Sequence, residues 1–521
     1  MGRVTPQPNE VVLILDYGSQ YTHLIARRVR ECRVRSEIVS PFLSVAEITA
    51  RGPKAIILSG GPDSTYREGA PQLPDGLLEL GLPVLGICYG MQLMARALGG
   101  AVERAAQREY GHADLSMDPS CTLFHGLDAV EPVWMSHGDH VTALPSGATS
   151  IAHTSNAPIA AFADVARKLY AIQFHPEVAH TVHGTRVLEN FLYDIVGCRG
   201  DWTTGNFIAT EIDAARERIG DGHVLCGISG GVDSAVAALL LHQAIGDRLH
   251  CLFVDNGLLR KNEAHLVMEA FEHRFHVPVR KVDASEEFLS ALAGISEPEA
   301  KRKTIGRVFV EVFEREARQM KLEVPIAFLA QGTLYPDVIE SSPVRGPSAV
   351  IKSHHNVGGL PERMHLKIVE PLRWLFKDEV RRTGQELGLS DEFVMRHPFP
   401  GPGLAVRCVG ELSRERLDRL READDIFITE LRQSGLYPKV AQAFAVLLPV
   451  KAVGVMGDER TYEEVVVLRS VDTLDFMTAS WSRLPQDFIA RVAGRIVNEV
   501  PGVNRVLYDV TSKPPGTIEW E

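Results

Sequence analysis

The sequence predicts an α/β protein, with two doubly wound α/β domains followed by a smaller α+β domain. Three observations lead there. Short apolar runs alternate with helical patterns from residue 10 to about 197, and again from residue 221. Each series holds a strand that turns through glycines straight into a helix, LPVLGICYGMQLMARAL in the first and HVLCGISGGVDSAVAALLL in the second. The stretch RHPFPGPGLAVR, with its prolines and glycines, then marks a boundary before a region of different rhythm.

In the first series, EVVLILDYG, KAIILSGGP and LPVLGICYG are unbroken apolar runs, as in strands covered on both faces. YTHLIARRVREC and YGMQLMARALGG repeat apolar residues at three and four and read as helices. VWMSHGDHVTAL, SIAHTS, APIAAFA and KLYAIQFHPE are more β-like, and HGTRVLENFLYDIVG is a closing helix. CRGDWTTGN reads as a linker. In the second series DGHVLCGISGG is strand and turn, VDSAVAALLLHQAIG a helix, and RLHCLFVDNG and IAFLAQGT are strands. Helical segments fall near 262–276 and 297–320. Residues 341–364 have no period, which marks a functional loop or disorder. The last region has a long charged helix (LSRERLDRLREADDIFITELRQSG) and strands AQAFAVLLPV and EEVVVLRSV. The helix PQDFIARVAGRIVNEV and the strand VNRVLYDV follow. The expected division is an extension at 1–9 and domains at 10–199, 200–396 and 397–521.

Composition narrows the function. The 521 residues are 45% apolar with a net charge of −12, which argues against a nucleic-acid partner. No apolar run is long enough for a membrane span, and MGRVTPQPNE has no apolar core of a secretory signal. Cys32, Cys88, Cys121, Cys198, Cys226, Cys251 and Cys408 are scattered, odd in number and without a C-x-x-C pair. A disulfide framework is not expected, and a cytoplasmic location is.

Cys88 sits on the corner GICYG, where glycines permit tight packing and the side chain projects from the turn. The following helix points its N-terminus at the sulfur and favours negative charge there. A thiolate nucleophile needs a proton carrier, and QFHPE offers His175 with Glu177 to orient it. An acyl intermediate needs an oxyanion hole, and LSGGP supplies the N–H of Gly61 while the corner supplies that of Tyr89. LSGGP, G-x-C-x-G and HPE in this order resemble the class I glutamine amidotransferases over roughly residues 10–198. The resemblance implies that Cys88 attacks the carboxamide of glutamine, that His175 moves the proton, and that MSHGD at 135–139 borders the glutamine pocket.

SGGVDS at 229–234 opens a helix after a strand, so several backbone N–H groups face outward as an anion site. Ser229 and Ser234 add hydroxyls, and Asp233 is placed to hold a magnesium ion that also touches phosphates. The loop is not a Walker A sequence and resembles the pyrophosphate loop of the ATP pyrophosphatase superfamily. That resemblance implies ATP on Ser229, Gly230, Gly231, Val232, Asp233, Ser234 and Ala235. It also implies a carboxylate at the end of the next strand, Asp255.

GTLYPDVIES, IKSHHNVGGLP, RHPFPGPGLAVR, AQAFAVLLPV and the terminal KPPGTIEWE resemble the glutamine-hydrolysing GMP synthetase family, and with the two modules they span the chain. The resemblance implies adenylation of xanthosine monophosphate (XMP) by ATP and displacement of AMP by glutamine-derived ammonia. It implies XMP contacts at Arg302, Gln442, Lys513, Ile518 and Glu519, and a pyrophosphate contact at Lys377. Lys352, His354 and His355 would form a lid, and a homodimer is expected through the last domain. The alternative is another glutamine-dependent enzyme of the superfamily, such as a modifier of transfer RNA. It predicts a basic face and a C-x-x-C pair, and this sequence has neither.

Overall fold

The computed structural model describes residues 10–320, 325–341, 366–456, 459–473, 476 and 478–521. The chain divides into two compact units, the first ending at Thr210 and the second running from Glu211 to Glu521.

The first unit has strands β1 (Val11–Leu15), β2 (Arg35–Val39), β3 (Ala55–Leu58), β4 (Val84–Ile87), β5 (Ala101–Met117), β6 (Val130–Ala143), β7 (Thr149–His153), β8 (Ala161–Asp164) and β9 (Leu169–Ile172). They form one sheet in the order β2-β1-β3-β4-β9-β8-β7-β5-β6. The first five of that order run parallel, as expected of the apolar runs at β1, β3 and β4, and the largely polar β2 (RSEIV) joins them at the edge. The remaining pairings are antiparallel, so the sheet is mixed. The sequence pattern did not reveal β5. Its residues, AVERAAQREYGHADLSM, carry charges without clean alternation, and its pairing with β6 is broken by a bulge between Arg104 and Glu109. Helices Thr22–Glu31 and Tyr89–Ala97 follow β1 and β4, where apolar spacing placed them.

The second unit begins with β10 (His223–Ile228), β11 (Leu249–Asp255), β12 (Val279–Asp283), β13 (Ile326–Ala330) and β14 (Lys367–Val369). This sheet is wholly parallel in the order β12-β11-β10-β13-β14. Strand order reverses direction beside β10. A ligand crevice forms at that kind of point, outside the carboxyl ends of the strands. The last region holds β15 (Gln442–Met456), β16 (Glu459–Asp472), β17 (Ser480–Trp481) and β18 (Val503–Tyr508), all joined through β16.

The charged helix spans Arg414–Gln433, opened by Ser413, whose side chain accepts from the Arg416 N–H. It buries Leu417, Leu420, Ala423, Phe427 and Leu431 on one stripe and leaves most of its charges outside, Asp424 and Glu430 being buried. That stripe joins Leu225 and Leu252 of the parallel sheet, and Val466 and Leu468 of β16, in a single apolar cluster. Leu404 and Ala405, from the Pro/Gly-rich segment, and Cys408 just after it belong to it as well. The parallel sheet ends at β14 and a second sheet begins at β15, while the core continues through both.

Candidate active site

Strand β4 ends at Ile87 and the next helix begins at Tyr89, so Cys88 alone makes the corner. Its backbone sits at φ 54° and ψ −106°, outside the regions L-residues favour, at a cost of about 1–3 kcal/mol. The surroundings enforce it. The Cys88 N–H donates to Ile172 O at 2.8 Å and the Gly90 N–H to Ser59 O at 3.1 Å. A Cβ on Gly90 would stand 2.5 Å from Leu58 O, and one on Gly86 would stand 2.6 Å from Met94 Sδ. Both glycines are there so that the helix can press against the strands.

His175 reaches the corner because β9 pairs in parallel with β4, with Ile172 beside Ile87. Its N–H donates to Trp134 O at 3.0 Å, and Thr181 Oγ1 donates to its carbonyl at 2.6 Å. His175 Nδ1 lies 2.7 Å from Glu177 Oε1, and both side chains are buried. Nδ1 therefore carries a proton and Nε2 is left for the thiol. Burial alone would depress the imidazole pKa. The Glu177 carboxylate and Cys88 more than offset this and hold it well above the usual histidine range. Cys88 Sγ also points at Ser136 O, 3.7 Å away.

The sulfur opens into a cavity of about 920 Å³, also lined by Gly61, Tyr89, Gln92, Gly138, Asp139 and His175. A Cβ on Gly61 would lie 2.8 Å from Tyr17 O, so no side chain fits there. Tyr89 is the first residue of its helix, where a backbone N–H has no intrahelical acceptor. Motif reading did not single out Gln92, Tyr66 or Glu109. Gln92 Nε2 donates to Asp139 O at 2.9 Å, and Tyr66 Oη donates to Asp139 Oδ1 at 2.9 Å. One signal for them exists. In VWMSHGDHV the alternate positions Val133, Met135, His137, Asp139 and Val141 all face inward, and two of them are polar.

Glu177→Gln is expected to move the alkaline limb of the glutaminase pH profile to lower pH. The imidazolium is lost as pH rises through the His175 pKa, and without the carboxylate that loss comes sooner. The maximal rate should also fall, by about 10²–10⁴-fold. An unmoved alkaline limb would show that Glu177 does not set the charge of His175.

In the second unit, Ser229–Ala235 wrap the end of β10 and the first turn of helix Val232–Ile245. Gly230 has φ +76°, which suits glycine, and a Cβ there would strike Val267 at 2.8 Å. The Ser229 N–H donates to Ser234 Oγ at 3.2 Å, and Ser234 Oγ donates to Gly231 O at 3.1 Å, closing the loop on itself. Lys377 begins the helix Lys377–Glu386, and its Nζ lies 2.7 Å from both carboxylate oxygens of Asp233. Asp255 ends β11 on the same edge and pairs with Lys281 at 3.3 Å. Lys352, His354 and His355 lie outside the described residues.

The C-terminal segment is ordered by buried cations. Arg407, fully buried, grips Glu519 with Nε at 3.0 Å and Nη2 at 2.8 Å. Gln442 Nε2 donates to Glu519 Oε1 at 2.8 Å. Ile518 packs with Phe444, Val446 and Val467. Arg302 donates to the main-chain oxygen of Glu521, and the buried Lys301 binds the Glu521 side chain. Gln442, Glu519 and Ile518 thus meet, and Arg302 reaches the end of the same segment. Lys513 is turned to Phe476 O at 2.8 Å. Motif reading passed over Arg407 and Lys301, which organise this segment from inside the core.

A cysteine held in strain beside a charged histidine, over an open cavity, is equipped for acyl chemistry on a small carbonyl substrate. Residues 13–195 match the family model for class I glutamine amidotransferases, so the first unit is of that class. Residues 429–520 match the model of the GMP synthase C-terminal domain. A GMP synthase [glutamine-hydrolyzing] from Maridesulfovibrio salexigens is 56% identical over 517 residues, covering 99% of this chain and 100% of that one. Another, from Rhodopseudomonas palustris, is 57% identical over 98% of this chain and 95% of its own length. The chain belongs to the family of glutamine-hydrolysing GMP synthases.

Proposed function

We propose that this chain is a ligase that makes GMP from XMP, ATP and glutamine, by two half-reactions in its two units. The observation that carries the reading is that one sequence match runs through both units, nucleophile and nucleotide loop alike.

In the first half-reaction the Cys88 thiolate adds to the carboxamide carbon of glutamine. The oxyanion takes the N–H groups of Gly61 and Tyr89. His175 protonates the departing nitrogen, ammonia leaves, and a glutamyl thioester remains on the sulfur. His175 then takes a proton from water as it attacks the thioester, giving glutamate and the free thiol. Glu177 keeps the imidazole oriented throughout and stabilises its charged form whenever it carries the second proton.

In the second half-reaction the C2 oxygen of XMP attacks the α-phosphorus of ATP, and the bond to the β-phosphate oxygen breaks. Adenylation turns a poor leaving oxygen into AMP, which ammonia then displaces from C2. Ser229–Ala235 hold the phosphates, with Lys377 on the departing pyrophosphate and Asp255 at the neighbouring strand end. Arg302, Gln442, Lys513, Ile518 and Glu519 hold XMP, and Lys352, His354 and His355 act as the lid.

Magnesium suits this chemistry, because it binds through one or two carboxylates together with substrate phosphates. The donors at hand fit that pattern. Asp233 stands in the first turn of the helix at the anion loop, one carboxylate beside the place for the phosphates. Asp233 would hold the ion, which would neutralise charge on the phosphates.

A homodimer through residues 397–521 belongs to the same reading, in keeping with the exposed Val453, Val455 and Tyr462 on β15 and β16. So does a cytoplasmic location, in keeping with seven free thiols. Among the described residues no helix is long and apolar enough to cross a membrane.

The test is a single incubation with ATP, magnesium, XMP and amide-¹⁵N glutamine, read by mass spectrometry of the nucleotides. GMP carrying ¹⁵N, formed together with AMP, is expected. Glutamate without GMP would leave a glutaminase with a different acceptor.

A further inference from the structure

At the wall of the glutamine cavity lies a buried histidine–glutamate pair with no role in the chemistry above. Glu109 follows the bulge in β5 and stands directly opposite His137 of β6. His137 Nε2 lies 3.1 Å from Glu109 Oε2, and His137 Nδ1 lies 3.0 Å from Asp139 O. Thr154 Oγ1 donates to Glu109 Oε1 at 2.9 Å. Glu109, His137, Thr154 and Asp139 are all more than nine-tenths buried.

Both ring nitrogens of His137 face oxygens, the Asp139 carbonyl at Nδ1 and the Glu109 side chain at Nε2. The ring cannot turn without losing a hydrogen bond at each end. An apolar pair of the same size would serve stability as well, so the pair's contribution is geometric. The geometry it sets is that of Asp139. The Asp139 carbonyl is held by His137 Nδ1–H and by Gln92 Nε2–H, and the residue lines the cavity that Cys88 opens into. Glutamine brings an α-ammonium group into this cavity, and the Asp139 carboxylate is the complementary charge.

We infer that Glu109 is a positioning residue for glutamine, acting through His137 to hold Asp139 where the substrate's ammonium group binds. The inference rests on the glutaminase reading of the cavity. Glu109 touches neither the nucleophile nor the substrate, so its effect falls on binding. Glutamine is held loosely when Asp139 drifts, whereas the thioester chemistry and the second unit are untouched.

The test uses the full-length enzyme. Glutamine KM and kcat, and GMP formation from ammonium salts, are measured for Glu109→Ala, Glu109→Gln and Thr154→Val. Glutamine affinity is measured by calorimetry in each variant combined with Cys88→Ala. Glu109→Ala is expected to raise KM and Kd about 10–100-fold, the usual scale for losing a supporting residue, with kcat at saturation within about threefold. Ammonium-dependent synthesis stays at the wild-type rate. Glu109→Gln can donate its amide N–H to His137 Nε2 and so keep that contact, and it should stay within about threefold of wild type. Thr154→Val should raise KM several-fold, and it serves if Glu109→Ala does not fold.

Unchanged glutamine affinity in Glu109→Ala overturns the inference. So does a parallel fall in ammonium-dependent synthesis, or a Gln variant as impaired as the Ala variant. If Cys88→Ala alone still hydrolyses glutamine, the glutaminase reading fails and the affinity measurements stand apart from it.

Discussion

Cys88→Ala is expected to abolish GMP formation from glutamine and to leave formation from ammonium salts at alkaline pH intact. Removing the nucleophile from a set that acts as a unit costs about 10⁶-fold, leaving at most the background. The fold should survive. Alanine keeps the Cβ that Cys88 already places at φ 54°, so the strain at the corner does not grow. The flanking contacts of Gly86 and Gly90 involve the glycines alone. Alkaline ammonium supplies neutral ammonia directly, which bypasses Cys88, His175 and Glu177 together. Comparing the two nitrogen donors at saturating ATP and XMP reads the outcome. Equal loss with both donors would mean that the two chemistries are not separable.

The second large effect is expected from Asp233→Asn, with adenylation slowed about 10²–10³-fold whichever nitrogen donor is used, and glutamine hydrolysis spared. Asp233 lies in the first turn of the helix after β10, and in the ligand-free protein Lys377 covers both of its oxygens. Both partners are about a third exposed, so the pair is worth only about 0–1 kcal/mol. It is an exchangeable pairing. Phosphate can take Lys377 and free the carboxylate for a metal ion, and both groups then face the charge that moves in the reaction. Asparagine keeps the shape and removes the charge. Isotope exchange between pyrophosphate and ATP in the presence of XMP measures the step, and unchanged exchange would remove Asp233 from the nucleotide site.

The two sites were unequally legible. Cys88 and Ser229–Ala235 were visible because each is a local device, a strand turning through small residues into a helix, with its chemistry inside a few adjacent positions. His175 and Glu177 were visible for the same reason, two residues apart after a strand. The nucleotide loop's partner Lys377 rested on a resemblance, and its contact with Asp233 depends on a fold that brings distant helices to one sheet edge. Of the β5–β6 wall, β6 was legible in VWMSHGDHV and β5 was hidden. The β5 residues are polar where a strand pattern expects apolar ones, and the bulge before Glu109 shifts the alternation that would have revealed the strand.

By itself, the sequence determined which segments are buried strands, which corners carry the sulfur and the anion loop, and that two α/β units precede a strand-rich end. Those follow from apolar periodicity and from glycine, which act within a few residues. The tertiary structure alone decided which of these pieces meet. Parallel pairing of β4 with β9 sets Ile87 beside Ile172, and so puts the His175 loop against Cys88. The β5 bulge sets Glu109 against His137. Burial in the common core turns Lys301 and Arg407 inward, onto Glu521 and Glu519. Register and burial are properties of the whole packed sheet, and a periodicity that repeats every two residues cannot say which strand lies next to which.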